Sequence, residues 1–357
     1  MAVQGSPAPG FEAGLKGASE KVAEFHEEKN ALKKLQHWLH QTPSAVPMIV
    51  LVVALIVFGL LSQNFFKATT LSTILQQIAI VGILGCAQSI VVLTAGIDLS
   101  VGAIAVFSSV LMGQITFRYG VPAEISIIMG LILGTAMGAV NGLLIARMKL
   151  PPFIVTLGTW QILLASNFIF SANETIRSQD IEAQARALQF WGQSIQPGGV
   201  KVLYAVFLLI ALVAIMAYVL RSTAWGRHVY ATGDDPEAAA LAGVPTQKIL
   251  IQVYALAGFF CAVAGWVMIG RFGSVSPTAS TGQLGNIQSI TAVVIGGISL
   301  FGGRGSIVGM FFGALIVGVF EMGLRLVGTD PQWTFFLIGV LIIFAVAVDQ
   351  WIRKASA

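Results

Sequence analysis

Charge is what this sequence has least of. Only 10% of its 357 residues are Asp, Glu, Lys or Arg, where a soluble domain carries about a quarter. Gln36–Phe66, Ala68–Ile97 and Leu150–Asn173 contain none at all. A water-surfaced globule is excluded. Cysteine is scarce too: Cys86 and Cys261 each sit in an apolar stretch, which excludes a disulfide scaffold and favours two small buried side chains over a metal pair. The four histidines, His26, His37, His40 and His228, fall in polar segments with no pair at ligand spacing, so no metal site is expected. There is no Gly-x4-Gly-Lys-Ser/Thr phosphate loop, so the chain is not expected to hydrolyse ATP or to hold a cofactor of its own. No nucleophile–base–acid set is evident, and no enzyme is expected. The polar first 40 residues show no cleavable signal peptide. A net charge of +4 with pI ≈ 9.1 does not argue for nucleic acid, because membrane proteins keep Lys and Arg in cytoplasmic loops.

What is there is hydrophobic: 56% of residues, with a mean hydropathy of +0.84. The fold class expected is all-α, a polytopic transmembrane helical bundle of about ten spans. They read as 46–63, 72–94, 100–117, 123–145, 152–171, 201–220, 249–270, 287–301, 306–326 and 332–350. In lipid each backbone must satisfy its own hydrogen bonds, so these are helices; barrel strands would be shorter and alternating. With ten spans and both termini inside, the 20 basic residues divide thirteen inside and seven outside, as cytoplasmic retention of Lys and Arg requires. The bias rests on Lys16, Lys21, Lys29, Lys33 and Lys34 of the N-terminal extension. That extension, 1–43, reads as a polar cytosolic segment with an amphipathic helix within 11–40; 44–357 reads as the membrane domain. Outside, 172–200 is a mixed-charge, partly helical connection, and Gly273–Asn286 is a second stretch rich in Ser, Thr, Gly and Pro.

The longest polar interruption on the inner side is 221–248. Within it a short helix has clear limits. Asp234 or Asp235 can cap it, Pro236 suits its first position and Glu237 its first turn. Ala238, Ala239, Ala240, Leu241 and Ala242 propagate it, Gly243 can close it, and Pro245 stops its return. Such a knob can fit a groove on another protein, or can simply connect two spans.

Asp98 comes after 30 uncharged residues. A carboxylate at membrane depth is costly and normally pairs or faces a polar path. Three readings stand: it caps the third span, helped by Ser100; it accepts hydroxyls from a passing solute; or it binds a coupling cation. The neighbouring glycines imply a break between helices, and broken helices often mark transport sites. Gln88, Thr94 and Ser299 join Asp98 and Ser100 as candidate path residues. Residues 296–302 echo 95–101, with Gly297, Ile298 and Leu300 matching Gly96, Ile97 and Leu99 at an offset of 201 and Ser299 standing opposite Asp98. In the fourth span Gly130, Gly134, Gly138 and Gly142 form a seam for close helix approach. Glu321 can pair with Arg325 one turn later.

Four motifs together resemble the permeases of ribose/xylose/fructose-type sugar ABC importers of bacteria. They are Gly96-Ile97-Asp98-Leu99-Ser100-Val101-Gly102, Pro151-Pro152-Phe153-Ile154-Val155-Thr156-Leu157-Gly158-Thr159, Ala231–Ala240 and Gly302-Gly303-Arg304-Gly305-Ser306. Glu237-Ala238-Ala239, three residues, then Gly243 resembles the EAA loop of ABC importer permeases. The resemblance covers about residue 45 onward and leaves the first 43 residues out. It implies an importer permease in the bacterial inner membrane, paired with a second copy of itself. It implies a separate ATP-binding cassette subunit that hydrolyses the ATP, and a periplasmic sugar-binding protein. Asp235, Pro236, Glu237, Ala238, Ala239 and Gly243 would then couple to the ATPase. An ABC permease for branched amino acids or nucleosides, or a stand-alone secondary transporter, remain the alternatives.

Overall fold

The computed structural model describes residues 45–354. The N-terminal extension and its amphipathic helix lie outside the described residues. Ten long helices lie on the apolar runs of the sequence, and the turns between them fall at Gly, Pro or polar residues. They are α1 (Ala45–Leu61), α2 (Ala68–Leu93), α3 (Val101–Tyr119), α4 (Ala123–Met148), α5 (Pro152–Ser171), α7 (Tyr204–Ser222), α10 (Thr246–Phe272), α11 (Ala279–Ile295), α12 (Ile307–Val327) and α13 (Pro331–Lys354). Three short helices stand between them: α6 (Ser178–Gln184), α8 (Ala224–Asp234) and α9 (Pro236–Leu241). Among the described residues seven helices, α2, α3, α4, α5, α7, α10 and α12, are both long and apolar enough to cross a bilayer, and α1 is a shorter apolar helix.

α2 is the axis. Every residue from Gln77 to Leu93 is buried, as expected of a helix that is apolar all round. α10, α11, α12 and α7 pack around it. The glycine seam of α4 lies against α10. A Cβ at Gly134 would stand 2.6 Å from Ala262 Cβ, one at Gly138 would strike the Tyr254 carbonyl, and Gly258 of α10 meets Gly134 in return. Side chains are absent there because two backbones touch. The outer faces are bare and greasy: Val53, Ile56 and Leu60 on α1, Ile132 on α4, Ile162 and Ile169 on α5, and Ile215 on α7 are all exposed. Water would not tolerate such a surface; hydrocarbon does.

Three boundaries differ from the reading of the sequence. α11 begins at Ala279, not 287, so much of the Ser/Thr/Gly-rich stretch is helical, and it ends at Ile295 because Gly296 and Gly297 turn the chain. The segment 172–200 contains α6, a 3-10 helix over Arg186–Gly192, and the first strand of a two-residue antiparallel ribbon, β1 (Ser194–Ile195) with β2 (Val202–Leu203), in which Ser194 faces Leu203. The interruption 221–248 holds two helices, not one: α8 precedes α9 and is capped by the Thr223 hydroxyl, which accepts from Gly226 N at 3.1 Å. Cys86 and Cys261 are free and buried. Glu321 lies 3.6 Å from Arg325 and also accepts from Gln288 Nε2 at 3.0 Å and from Gln77 Nε2, tying α12 to α11 and α2.

Candidate functional site

α2 and α11 end in the same way. At α2 the N–H of Ala95 returns to Val92 O (2.9 Å) and that of Gly96 to Val91 O (3.1 Å), with Ala95 left-handed at φ 59°. At α11 Gly297 N returns to Val294 O (3.0 Å) and Ile298 N to Val293 O (3.1 Å), with Gly297 at φ 78°. Both are paired C-terminal closures around a left-handed residue. They match at an offset of 202, one more than the echo in the sequence. Ser299 therefore corresponds to Ile97, and the position opposite Asp98 is Leu300.

After Gly96 the chain does not resume a helix until Val101. Asp98, only 1% exposed, holds this stretch in shape. Its Oδ1 accepts from Ser100 N at 2.7 Å and from Ser100 Oγ at 2.6 Å. The Ser100 hydroxyl also accepts from Asn141 Nδ2 (3.0 Å) of α4, and Asn141 Oδ1 accepts from Thr159 Oγ1 (2.6 Å) of α5. Thr156 Oγ1 accepts from Leu99 N at 3.1 Å and lies 3.2 Å from Ile97 O. From α11, Asn286 donates to Leu99 O and accepts from Gly102 N. Helices α4, α5 and α11 thus clamp one non-helical segment, by its backbone and by the serine that its own carboxylate holds. Asn141 lies seven residues before the end of α4, or about 10 Å at 1.5 Å per residue. The break is therefore inside the bundle rather than at its rim. Two polar side chains are unspent among the described residues: Tyr254, whose hydroxyl lies by the break, and the fully buried Gln88 of α2, in both of its amide atoms. A Cβ on Gly96 would stand 2.5 Å from Tyr254 Oη.

Of the sequence candidates, Asp98 and Ser100 are brought together directly. Thr94 is buried and spends its hydroxyl on Val91 O at 2.8 Å. Ser299 is buried in the other break, where its N–H donates to Arg304 O at 3.1 Å. Gln88 makes no hydrogen bond to the Asp98 cluster. Asn286 and Thr156 are site residues that the sequence does not single out. Thr156 lies within a motif, whereas nothing in the Ser/Thr/Gly-rich stretch marks Asn286.

The polar-segment helix α9 stands as its residues dictate. Asp235, not Asp234, is its cap: Oδ1 accepts from Glu237 N (3.0 Å) and Ala238 N (2.9 Å). Pro236 occupies the first position, and Gly243 closes the helix at φ 85°, with Val244 N returning to Ala239 O at 3.0 Å. Ala239 is its one buried residue; Glu237, Ala238 and Gly243 are exposed, and Leu241 is 90% exposed. Just before it, the end of α8 meets both breaks. A Cβ on Gly233 would strike the Leu93 carbonyl oxygen, and that same oxygen accepts from Gly303 N at 3.0 Å. A Cβ on Gly302 would stand 2.5 Å from Gly233 O and 2.8 Å from Ala95 Cβ, and one on Gly303 would stand 2.8 Å from Asp234 Cα. Gly302 and Gly303 are left-handed at φ 80° and 69°, which glycine adopts without strain. α8, the end of α2 and the turn before α12 thus meet backbone to backbone.

Residues 70–346 match the family described as branched-chain amino acid transport system / permease component. The chain belongs to that permease family. This permease is 64% identical over 353 residues to the fructose import permease protein FrcC of Rhizobium meliloti, covering 98% of each chain. That coverage reaches into the N-terminal extension. It is 34% identical over 313 residues to the ribose import permease protein RbsC of Escherichia coli K12, covering 88% of this chain and 94% of the relative. To the galactose/methyl galactoside import permease protein MglC of the same organism it is 31% identical over 314 residues, covering 85% and 92%. It is a multi-pass membrane permease of the ribose/fructose type.

Proposed function

We propose that this permease imports a monosaccharide of the ribose, xylose or fructose class across the bacterial inner membrane, driven by ATP hydrolysed on a separate ATP-binding cassette subunit. The observation that supports this best is α9, a capped helix presented almost wholly to solvent, with Leu241 90% exposed and α8 behind it seated on both breaks. An exposed leucine on a rigid mount is suited to a groove in a partner. Asp235, Pro236, Glu237, Ala238, Ala239 and Gly243 make that mount and its tip. The 64% identity to a fructose import permease favours the sugar over the branched amino acid of the family description. In this reading ten helices span the membrane, both termini and the extension 1–43 are cytoplasmic, and a periplasmic binding protein delivers the sugar.

Asp98, Ser100, Gln88, Thr94 and Ser299 are all buried in the single chain. A path that reaches them opens between two copies as the helices shift. The unspent Tyr254 hydroxyl and Gln88 amide then offer hydrogen bonds to sugar hydroxyls. Alternating access needs contacts that differ between two states, and the junction of α8 with both breaks is where cytosolic motion would reach them.

The test is uptake of radiolabelled fructose, ribose, xylose and leucine into proteoliposomes. Accumulation is expected only when the ATPase, the binding protein and ATP accompany the permease, and Glu237→Arg or deletion of 236–243 should abolish it with membrane insertion intact. Concentrative uptake by the permease alone would make it a secondary transporter; accumulation of leucine alone would restore the amino acid reading.

A further inference from the structure

Where α7 ends, a solvent-open cleft of about 480 Å³ lies between α7, α8 and the first turn of α12. Its walls differ in chemistry. Ala217, Leu220, Ile307 and Val308 form an apolar side, and Arg221 and Arg227 form the polar one. Neither guanidinium is in an ion pair among the described residues, where Arg325–Glu321 is the ion pair found. The acidic residues of the neighbouring polar segment, Asp234, Asp235 and Glu237, do not line it.

Two acceptors that line the cleft each already take a hydrogen bond. Gly305 O accepts from the Tyr230 hydroxyl at 2.9 Å, and the Ser306 hydroxyl, the cap of α12, accepts from Val308 N at 3.2 Å. Burial raises the Tyr230 phenol above its ordinary value, so it remains a donor. What is left open is positive: two guanidiniums and the N-terminal end of a 21-residue helix, whose dipole favours an anion. The cleft also sits where the 19-residue apolar α7 gives way to the polar α8, and a helix as apolar as α7 passes from hydrocarbon to headgroups at such an end.

We infer that the cleft binds an anionic phospholipid, its phosphate between Arg221 and Arg227 and its acyl chains along Leu220, Ile307 and Val308. Guanidiniums match phosphate oxygens in pairs, and the apolar wall demands that the phosphate carry hydrocarbon. The inference does not depend on the transported solute.

Native mass spectrometry of the full-length permease in mild detergent, titrated with dioleoyl phosphatidylglycerol, dioleoyl phosphatidylcholine or inorganic phosphate, tests it. Phosphatidylglycerol should be retained over phosphatidylcholine, and the Arg221→Gln/Arg227→Gln pair should cut that retention about tenfold. The Arg221→Lys/Arg227→Lys pair should keep most of it, and stands in if the glutamine pair fails to fold. Equal retention of both lipids, full retention by the glutamine pair, or displacement of the lipid by millimolar inorganic phosphate would overturn the assignment. So would unchanged lipid binding by the glutamine pair together with loss of a co-purifying ATPase, which would make the cleft a protein dock.

Discussion

The two breaks in the bundle, 94–100 and 296–306, open with the same helix closure and then diverge. The first runs straight on to α3, which begins six residues after Ala95, and is clamped from three neighbouring helices by polar side chains around Asp98. The second takes ten residues from Gly297 to reach α12, and spends the extra length on the glycine turn that meets Gly233 and Asp234. One break is fixed by side chains and lies in the interior. The other is fixed by backbone contact with the end of α8, which also touches the start of the first. The contrast teaches a division of labour: a shared closure places both breaks together, and the residues after the closure decide whether polar chemistry or close packing occupies the site.

That contrast can be broken experimentally. The largest effect is expected at Asp98. Asp98→Leu leaves the buried Ser100 N–H and hydroxyl without their acceptor, at a cost of about 1–3 kcal/mol, and should lower the thermal midpoint in detergent and abolish uptake. Leu300→Asn, at the matching position of the second break, should leave uptake within about twofold, since close packing rather than a polar clamp fixes that turn; comparable losses at both positions would erase the distinction. Next is Gly302→Ala, whose Cβ would meet Gly233 O at 2.5 Å on a left-handed backbone. It should reduce uptake per ATP hydrolysed more than it reduces the thermal midpoint. The smallest effects test the shared closure. Gly297→Ala should destabilise by about 1 kcal/mol and Ala95→Gly should be neutral or stabilising by several tenths, both read from chemical unfolding.

Distance along the chain decides how much of this is legible in the sequence. Long charge-free runs announce the spans, because a lone charge in hydrocarbon is costly. α9 can be read residue by residue, since cap, Pro236 and Gly243 are all local signals. Asp98 stands out as a solitary acid, but its clamp cannot be assembled from sequence, for the partners lie 41 to 187 residues away. Asn286 is hidden because the first two turns of α11 are largely Ser, Thr, Gly and Gln rather than apolar. α8 escapes notice inside a polar stretch whose glycines, Gly226 and Gly233, mark close packing rather than a turn. The repeat reads one residue out because identity aligns Gly96 with Gly297, whereas the left-handed partner of Gly297 is Ala95.

α8 links the exposed α9 to both breaks. The direct measurement is sugar taken up per ATP hydrolysed by the reconstituted complex carrying Gly233→Val. The side chain would force α8 off the Leu93 carbonyl, while every residue of α9 and its cap Asp235 keeps its identity. ATP hydrolysis should persist and uptake per ATP should fall to background; an unchanged ratio from a variant present in normal amount would contradict the claim.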